Sequence, residues 1–351
     1  MRHFPVFGIV LALLMQVCHA EEITFTSWGG SYAKAQNDTT VKPFTAKTGT
    51  KVKMEEYAGG LDQVRAQVTS GNVVWDVVDL TIPDALRACE DGLLERIKPE
   101  QLAPGLKGEP AKVDYVPGGL TDCLAGTTIW SNVLAFKQDR TRALQPKSVA
   151  DFFDLVKFPG KRGLHKGADA NLEWALLADG VPVDQIYGVL GTPAGVDRAF
   201  KKLDTIKSSI VWWESGSQPA QLLVDDQVAM TSAYNGRIYA AIMKERKPLG
   251  FIWDGQLLNI EGLAIVKGTK HAAAAREFVR YATQPDVLAA MAPLTAYGPT
   301  RRSAGTLIDQ MMQNMLPTAS WYQRRSLTVD AKWWAGHADA LNARFAEWAG
   351  K

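Results

Sequence analysis

Along this chain, short runs in which every second residue is hydrophobic alternate with longer stretches where apolar residues recur every three or four positions. "EITFTSW" alternates and reads as a strand. "SYAKAQNDTTVKPFTAKTG" reads as a capped helix, broken at Pro43 and stopped at Gly49. "TKVKMEEY" alternates again, "LDQVRAQVTSG" is a short helix ending at Gly71, and "VWDVVDL" is a compact strand. "PDALRACEDG" opens a helix with proline in its first turn. Strand and helix in turn predict an α/β fold with a mainly parallel sheet covered on both faces.

After the loop-like "PAKVDYVPGGLTDCLAG" the pattern restarts with the strand "TTIWSNVLAF". It continues through "KRGLHKG", "ANLEWALLADG" and a long helix near "AGVDRAFKKLDTI", which makes a second α/β unit. The strand "IVWWESG", the helix "QPAQLLVDD" and the strand "QVAMTSAY" come next. A helix starts at Asn235, a favoured N-cap, with Ile238, Ala241 and Ile242 at helical spacing. "LLNIEGLAIVKGT" is a further strand and "KHAAAAREFVRYAT" a helix; from about Thr306 the chain is helical and rich in aromatics.

Composition narrows this picture. Phe4 to Val17 is an uncharged, mostly apolar run after Arg2, followed by "VCHA". It reads as a signal peptide over residues 1–20, cleaved after Ala20, and is too short for a spanning helix of ~20 apolar residues. Val17 is bulky for a lipoprotein signal, which argues against lipidation of Cys18. Removing these residues takes away only Arg2 among ionised side chains, so the net charge falls from +2 to +1. That balance is no nucleic-acid footprint. Length suggests two domains. Cys89 and Cys123 remain, and an even pair close in sequence in an oxidising compartment favours a disulfide over two buried thiols.

Catalytic and metal signatures are missing from the sequence. His165, His271 and His337 stand far apart in no metal-ligand spacing, and there is no phosphate loop, nucleophile elbow or CxxC. Aromatics and opposed charges are better represented. Trp28 ends the first strand before two glycines, at the carboxyl end where open α/β sheets bind ligands; packing under its own loop is the competing assignment. Asp79 and Thr81 end another strand, with helix capping by Thr81 or Asp84 as the alternative. Glu261 interrupts a nearly apolar strand and needs a cation, whereas Arg237, in the first turn of a helix, needs an anion. The two either satisfy each other or face a ligand.

"SWGGSY", "WDVVDLT", "IWSNVLAF", "SGSQPAQLL", "AYNGR", "NIEGLAI" and "AYGPT", in this order, resemble the periplasmic solute-binding proteins of ABC importers, in the spermidine and putrescine-binding group. The resemblance covers the whole chain after residue 20. It implies two α/β lobes of the type II periplasmic binding fold, closing on a ligand in the cleft between them. The first lobe would take 21–126 plus 258–300, the second 127–257, with helices over 301–351 packing across the second. It further implies a monomer without cofactor or metal that hands its ligand to inner-membrane permease subunits. Trp28 and Tyr234 would stack on the ligand, Glu261 would grip an ammonium, Tyr297 would line the cleft, and Thr81 would supply a hydroxyl.

Two departures separate this chain from the polyamine binders. Arg237 stands where they have a small uncharged residue, and "GADANLE" offers only Asp169 and Glu173 in place of an acidic cluster. A diamine needs carboxylates at both ends. One carboxylate plus one arginine suits a zwitterion, an ω-amino acid such as 4-aminobutanoate or 5-aminopentanoate, with its ammonium on Glu261 and its carboxylate on Arg237. Gln218 and Asp79 are further hydrogen-bonding candidates. A polyamine ligand, ferric iron and a secreted enzyme are the alternatives; iron calls for neighbouring tyrosines, which the lone Tyr234 does not supply.

Overall fold

A computed structural model describes residues 21–138 and 144–350. The predicted signal segment, its cleavage point after Ala20 and Cys18 lie outside the described residues. Eight strands carry the fold: β1 Glu22–Ser27, β2 Lys51–Glu56, β3 Val77–Thr81, β4 Ala125–Lys137, β5 Arg162–His165, β6 Ile210–Trp213, β7 Met230–Tyr234 and β8 Leu249–Ile265. They form one continuous sheet in the order β2-β1-β3-β8-β4-β7-β5-β6.

The sheet is parallel only in its two wings. β1 pairs in parallel with β2 and β3, and β5 with β6 and β7, whereas β3–β8, β8–β4 and β4–β7 are antiparallel. The expectation of a mainly parallel sheet fails at the centre for a topological reason. β4 and β8, 13 and 17 residues long, each run through both wings, and a strand that returns beside its neighbour must run against it. Their pairing shifts register between Gly126 and Thr128 and again between Asn132 and Leu134.

Alternation along the strands divides the first wing's core into two layers. Val77 on β3 and Leu263 and Ile265 on β8 pack with Phe25, Phe44 and Phe278 on one face. Val78, Leu80 and Ala264 pack with Val64, Trp75 and Ala85 on the other. Helices 30–48 and Ala272–Ala282 cover the first layer, and Asp62–Ser70 and Ile82–Glu90 the second. Cys89, at the end of the last of these, is disulfide-bonded to Cys123 just before β4, with Cα atoms 5.8 Å apart.

The 30–48 helix is not broken at Pro43. It widens into a π-helical turn over Asn37–Val41, where Lys42 N–H bonds five residues back to Asn37, and Pro43 then sits in the first turn of Lys42–Thr48. There its missing N–H costs little. In the second wing Phe152, Trp174, Phe200 and Leu203 form the core, completed by Trp334, Leu341 and Phe345 from the final helix Ala331–Gly350. That helix also meets the first wing through an Arg87–Asp339 contact of 3.2 Å. Among the described residues no helix is long and apolar enough to cross a membrane.

Candidate functional site

The carboxyl ends of the parallel strands in each wing face the other wing. Trp28 follows β1, Tyr57 follows β2 and Thr81 ends β3; across from them stand His165, Trp213 and Tyr234 at the ends of β5, β6 and β7. Glu261 and Thr128 bring the central strands into the same place. Thr81 pairs with Glu261 in the β3–β8 ladder, so Asp79, two residues earlier, shares their face.

Two carboxylates are buried here. Glu261 Oε1 accepts from Thr128 Oγ1 at 3.0 Å, and burial raises the Glu261 pKa. Asp79 is wholly inaccessible; its Oδ2 accepts from Gln36 Nε2 at 2.7 Å and from Tyr32 OH at 3.2 Å. Burial, and then repulsion by Glu261, holds its pKa well above the usual carboxylate range. Tyr57 OH donates to the Asp79 backbone carbonyl. The buried indole N–H groups of Trp28 and Trp130 form no close hydrogen bond, but they face Asp79 and Glu261 respectively and favour their ionised forms.

Aromatic rings enclose these acids. Trp28 lies over Tyr57 at 5.0 Å, held against Gly59, where a Cβ would come within 2.9 Å of the indole. Tyr32 meets Tyr297 at 5.7 Å. From the second wing Tyr234 stands edge-on to Trp130 at 5.2 Å and Trp213 at 5.5 Å, and His165 packs on Trp213 at 4.7 Å.

Arg237 reaches across from the helix Asn235–Met243. Its Nη1 donates to Ser31 Oγ at 2.9 Å and its Nη2 to Gly29 O at 3.4 Å, at the first turn and the N-cap of the helix that follows β1. No carboxylate among the described residues forms an ion pair with it, and Glu261 has no cation within that range either. The two feel each other only at longer range, where Arg237 favours the ionised form of Glu261.

Asn235 is not the cap the sequence suggests. Tyr234 occupies the N-cap position, and the buried Asn235 amide is committed elsewhere, accepting from Ser131 N–H at 3.0 Å and donating to Ala296 O at 2.8 Å. Beside it, a Cβ on Gly236 would fall 2.5 Å from both Thr295 O and the Tyr297 ring, so only glycine lets Tyr297 close against the helix start.

Trp28, Asp79, Tyr234, Arg237, Glu261 and Tyr297 thus converge. Thr81 stands at the edge as a helix cap, accepting from Asp84 N–H and donating to its carboxylate. Gln218 is exposed, and its carbonyl accepts the N–H groups of Glu214 and Ser215, bracing its own loop. Asp169 lies 3.8 Å from His165 Nδ1, while Glu173 turns away into the second wing's core. Tyr32, Gln36, Thr128, Trp130, Trp213 and His165 belong to the site although sequence reasoning passed over them. Thr128 and Trp130 alternate along "TTIW", but it is the pairing of Thr128 with Glu261 in the β4–β8 ladder, a contact only the fold reveals, that puts them on the face of the site. Among the described residues no group of three or more His, Cys, Asp or Glu could hold a metal ion.

A family profile described as bacterial extracellular solute-binding protein matches residues 39–315. The chain belongs to this family. This solute-binding protein is 41% identical over 345 residues to the gamma-aminobutyric acid-binding protein of Pseudomonas aeruginosa, covering 98% of this chain and 95% of that one. The solved structure of the Atu4243 GABA receptor matches with a TM-score of 0.83 and 33% identity, over 94% and 98% of the two chains. The binding protein MotA of Agrobacterium tumefaciens, in complex with glucopine, matches with a TM-score of 0.85 and 29% identity, over 93% and 99%.

Proposed function

We propose that this solute-binding protein captures a linear ω-amino acid, 4-aminobutanoate first among them, and delivers it to the permease subunits of an ABC importer. The observation that carries the proposal is the pair of unmatched charges: a guanidinium that meets only a hydroxyl and a carbonyl, and a buried carboxylate that meets only neutral donors. A zwitterion with separated ends supplies both counter-ions. Its carboxylate takes the planar fork of Arg237, and its ammonium takes Glu261 with Asp79 behind it. Trp28, Trp130 and Tyr234 enclose the methylenes and turn negative ring faces to the cation, each face adding ~0.5–2 kcal/mol. The relative that carries the name of a gamma-aminobutyric acid binder supports this choice of ligand.

The wings act as lobes, 21–126 with 258–300 and 127–257, and close by bending β4 and β8. Binding is passive, residues 1–20 direct export, and the mature monomer works in the periplasm. A polyamine would leave Arg237 facing an ammonium inside the cleft.

The test is calorimetric titration of the mature protein with 4-aminobutanoate, 5-aminopentanoate, putrescine, spermidine, α-amino acids and ferric citrate. ω-Amino acids are expected to bind most tightly. Tight putrescine or spermidine binding without response to either ω-amino acid overturns the reading.

A further inference from the structure

Asp79 and Glu261 present a charge problem that the ligand's ammonium alone does not resolve. Both carboxylates are buried on one face, and the groups that meet them, Gln36 and Trp28 at Asp79, Thr128 and Trp130 at Glu261, and Tyr32 OH at both, are all neutral. The other titratable groups facing them are Tyr57 from the segment after β2, Tyr234 and Arg237 from the start of the helix after β7, and Tyr297. The four surrounding tyrosines, Tyr32 included, have raised pKa values, burial being the largest cause in each, so they stay neutral. Asp84 and Asp169 lie farther out, and both are acidic. Among the described residues Arg237 is the cation that acts on Glu261, and its hydrogen bonds go to Ser31 and Gly29.

Behind the pair lies a small cavity lined by Tyr32, Gln36, Thr40, Thr127 and Thr128, with about 20 Å³ of space, enough for one water. Three of these residues, Tyr32, Gln36 and Thr128, are the same ones that bond the two carboxylates. Phe25, Leu263, Ala282, Leu288 and Met291 close the rest of the cavity, so a water there would have polar partners on one side only, the side that holds the carboxylates.

We infer that Asp79 and Glu261 hold one proton between them in the ligand-free protein, with Tyr32 OH as the bridge, and release it when an ammonium docks. The exchange is balanced in charge. A protonated pair carries one negative charge, and an ionised pair neutralised by one ammonium carries one negative charge as well, so the buried site never holds two bare carboxylates. Binding is then proton-linked: affinity falls tenfold per pH unit below the pair's upper pKa and levels off above it.

This inference rests on the assignment of the site to an amine-bearing ligand, and the experiment separates the two. Calorimetric titration of the mature protein with 4-aminobutanoate is run at several pH values between about 6 and 8.5, in buffers of differing ionisation enthalpy. The expected result is net proton release on binding, of up to one proton per ligand, that declines as pH rises through the pair's upper pKa. Infrared difference spectra should show a protonated-carboxyl band that disappears on ligand addition. If 4-aminobutanoate gives no heat and putrescine does, the ligand assignment fails, and the proton count is read on putrescine instead. No buffer dependence at any pH overturns the inference, and so does proton release without loss of the carboxyl band, which would place the proton elsewhere.

Discussion

Glu173 offers a test of burial energetics away from the ligand. It lies on the helix Asn171–Ala178, fully inaccessible; its Oε1 accepts from Trp334 Nε1 at 2.7 Å and Tyr187 OH at 3.2 Å, and its Oε2 has no partner. Burial pushes its pKa from 4.5 up to about 7. That span of roughly 2.5 pH units, at ~1.36 kcal/mol per unit, makes the ionised form about 3 kcal/mol costlier in the fold than in the open chain. The folded state holds the proton more tightly, so the stabilisation is fully present below pH 4.5 and is lost as pH rises to about 7. Glu173→Gln keeps the acceptor and removes the charge. Urea unfolding of ligand-free protein from about pH 4.5 to 8 is expected to show the variant gaining about 3 kcal/mol on the wild type between those limits. A fixed offset from the new amide does not alter that gain. A difference independent of pH, or one that grows toward acid, would refute the reasoning.

Arg237→Ala is expected to weaken 4-aminobutanoate binding by about a hundredfold or more, since charge-assisted hydrogen bonds contribute ~1.5–3 kcal/mol each. Its ligand-free melting temperature should move by no more than about 2 °C, because the hydrogen bonds from Arg237 to Ser31 and Gly29 are exposed or half-buried; unchanged affinity in calorimetry counts against the site. Arg301→Ala leaves the buried Asp114 carboxylate without the guanidinium 2.6 Å away, and should cost about 3–5 kcal/mol in urea unfolding. A loss under about 1 kcal/mol would show the pair to be dispensable. The double variant Cys89→Ala, Cys123→Ala opens a loop whose ends are 34 residues apart, and should lower stability by about 3–4 kcal/mol in the same assay.

The wings were legible in the sequence because each short strand carries its own alternation and each helix its own stop, as Gly49 and Gly71 do with left-handed backbone. The centre was not. β8 begins at Leu249, but Gly250, Asp254 and Gly255 interrupt the apolar pattern of its first half, so only its second half, around Glu261, reads as a strand. Its antiparallel role depends on pairing with β4, a contact between residues more than a hundred positions apart. In the site, Arg237 and Glu261 were visible as charges out of keeping with their surroundings. Tyr32, Gln36 and Thr128 were not, since an amphipathic helix and a strand carry such residues without any functional reason. Asn235 misled for a related reason: its side chain has the chemistry of a cap, and only the fold reveals that Ser131 and Ala296 claim it first.

The pairing of β3 with β8 also sets a timetable. Thr81 finds Glu261 only after roughly 180 further residues have been made, which at ~5–20 residues per second takes about 9–36 s. Until then the first wing is three parallel strands with β3 as an open edge, and long-range pairing of this kind is slow to form even once the chain is complete. The first wing therefore cannot complete its sheet until the last third of the chain is present. The same delay leaves "VVDLT", an apolar strand with one unpaired edge, exposed to pairing with other chains until β8 covers it.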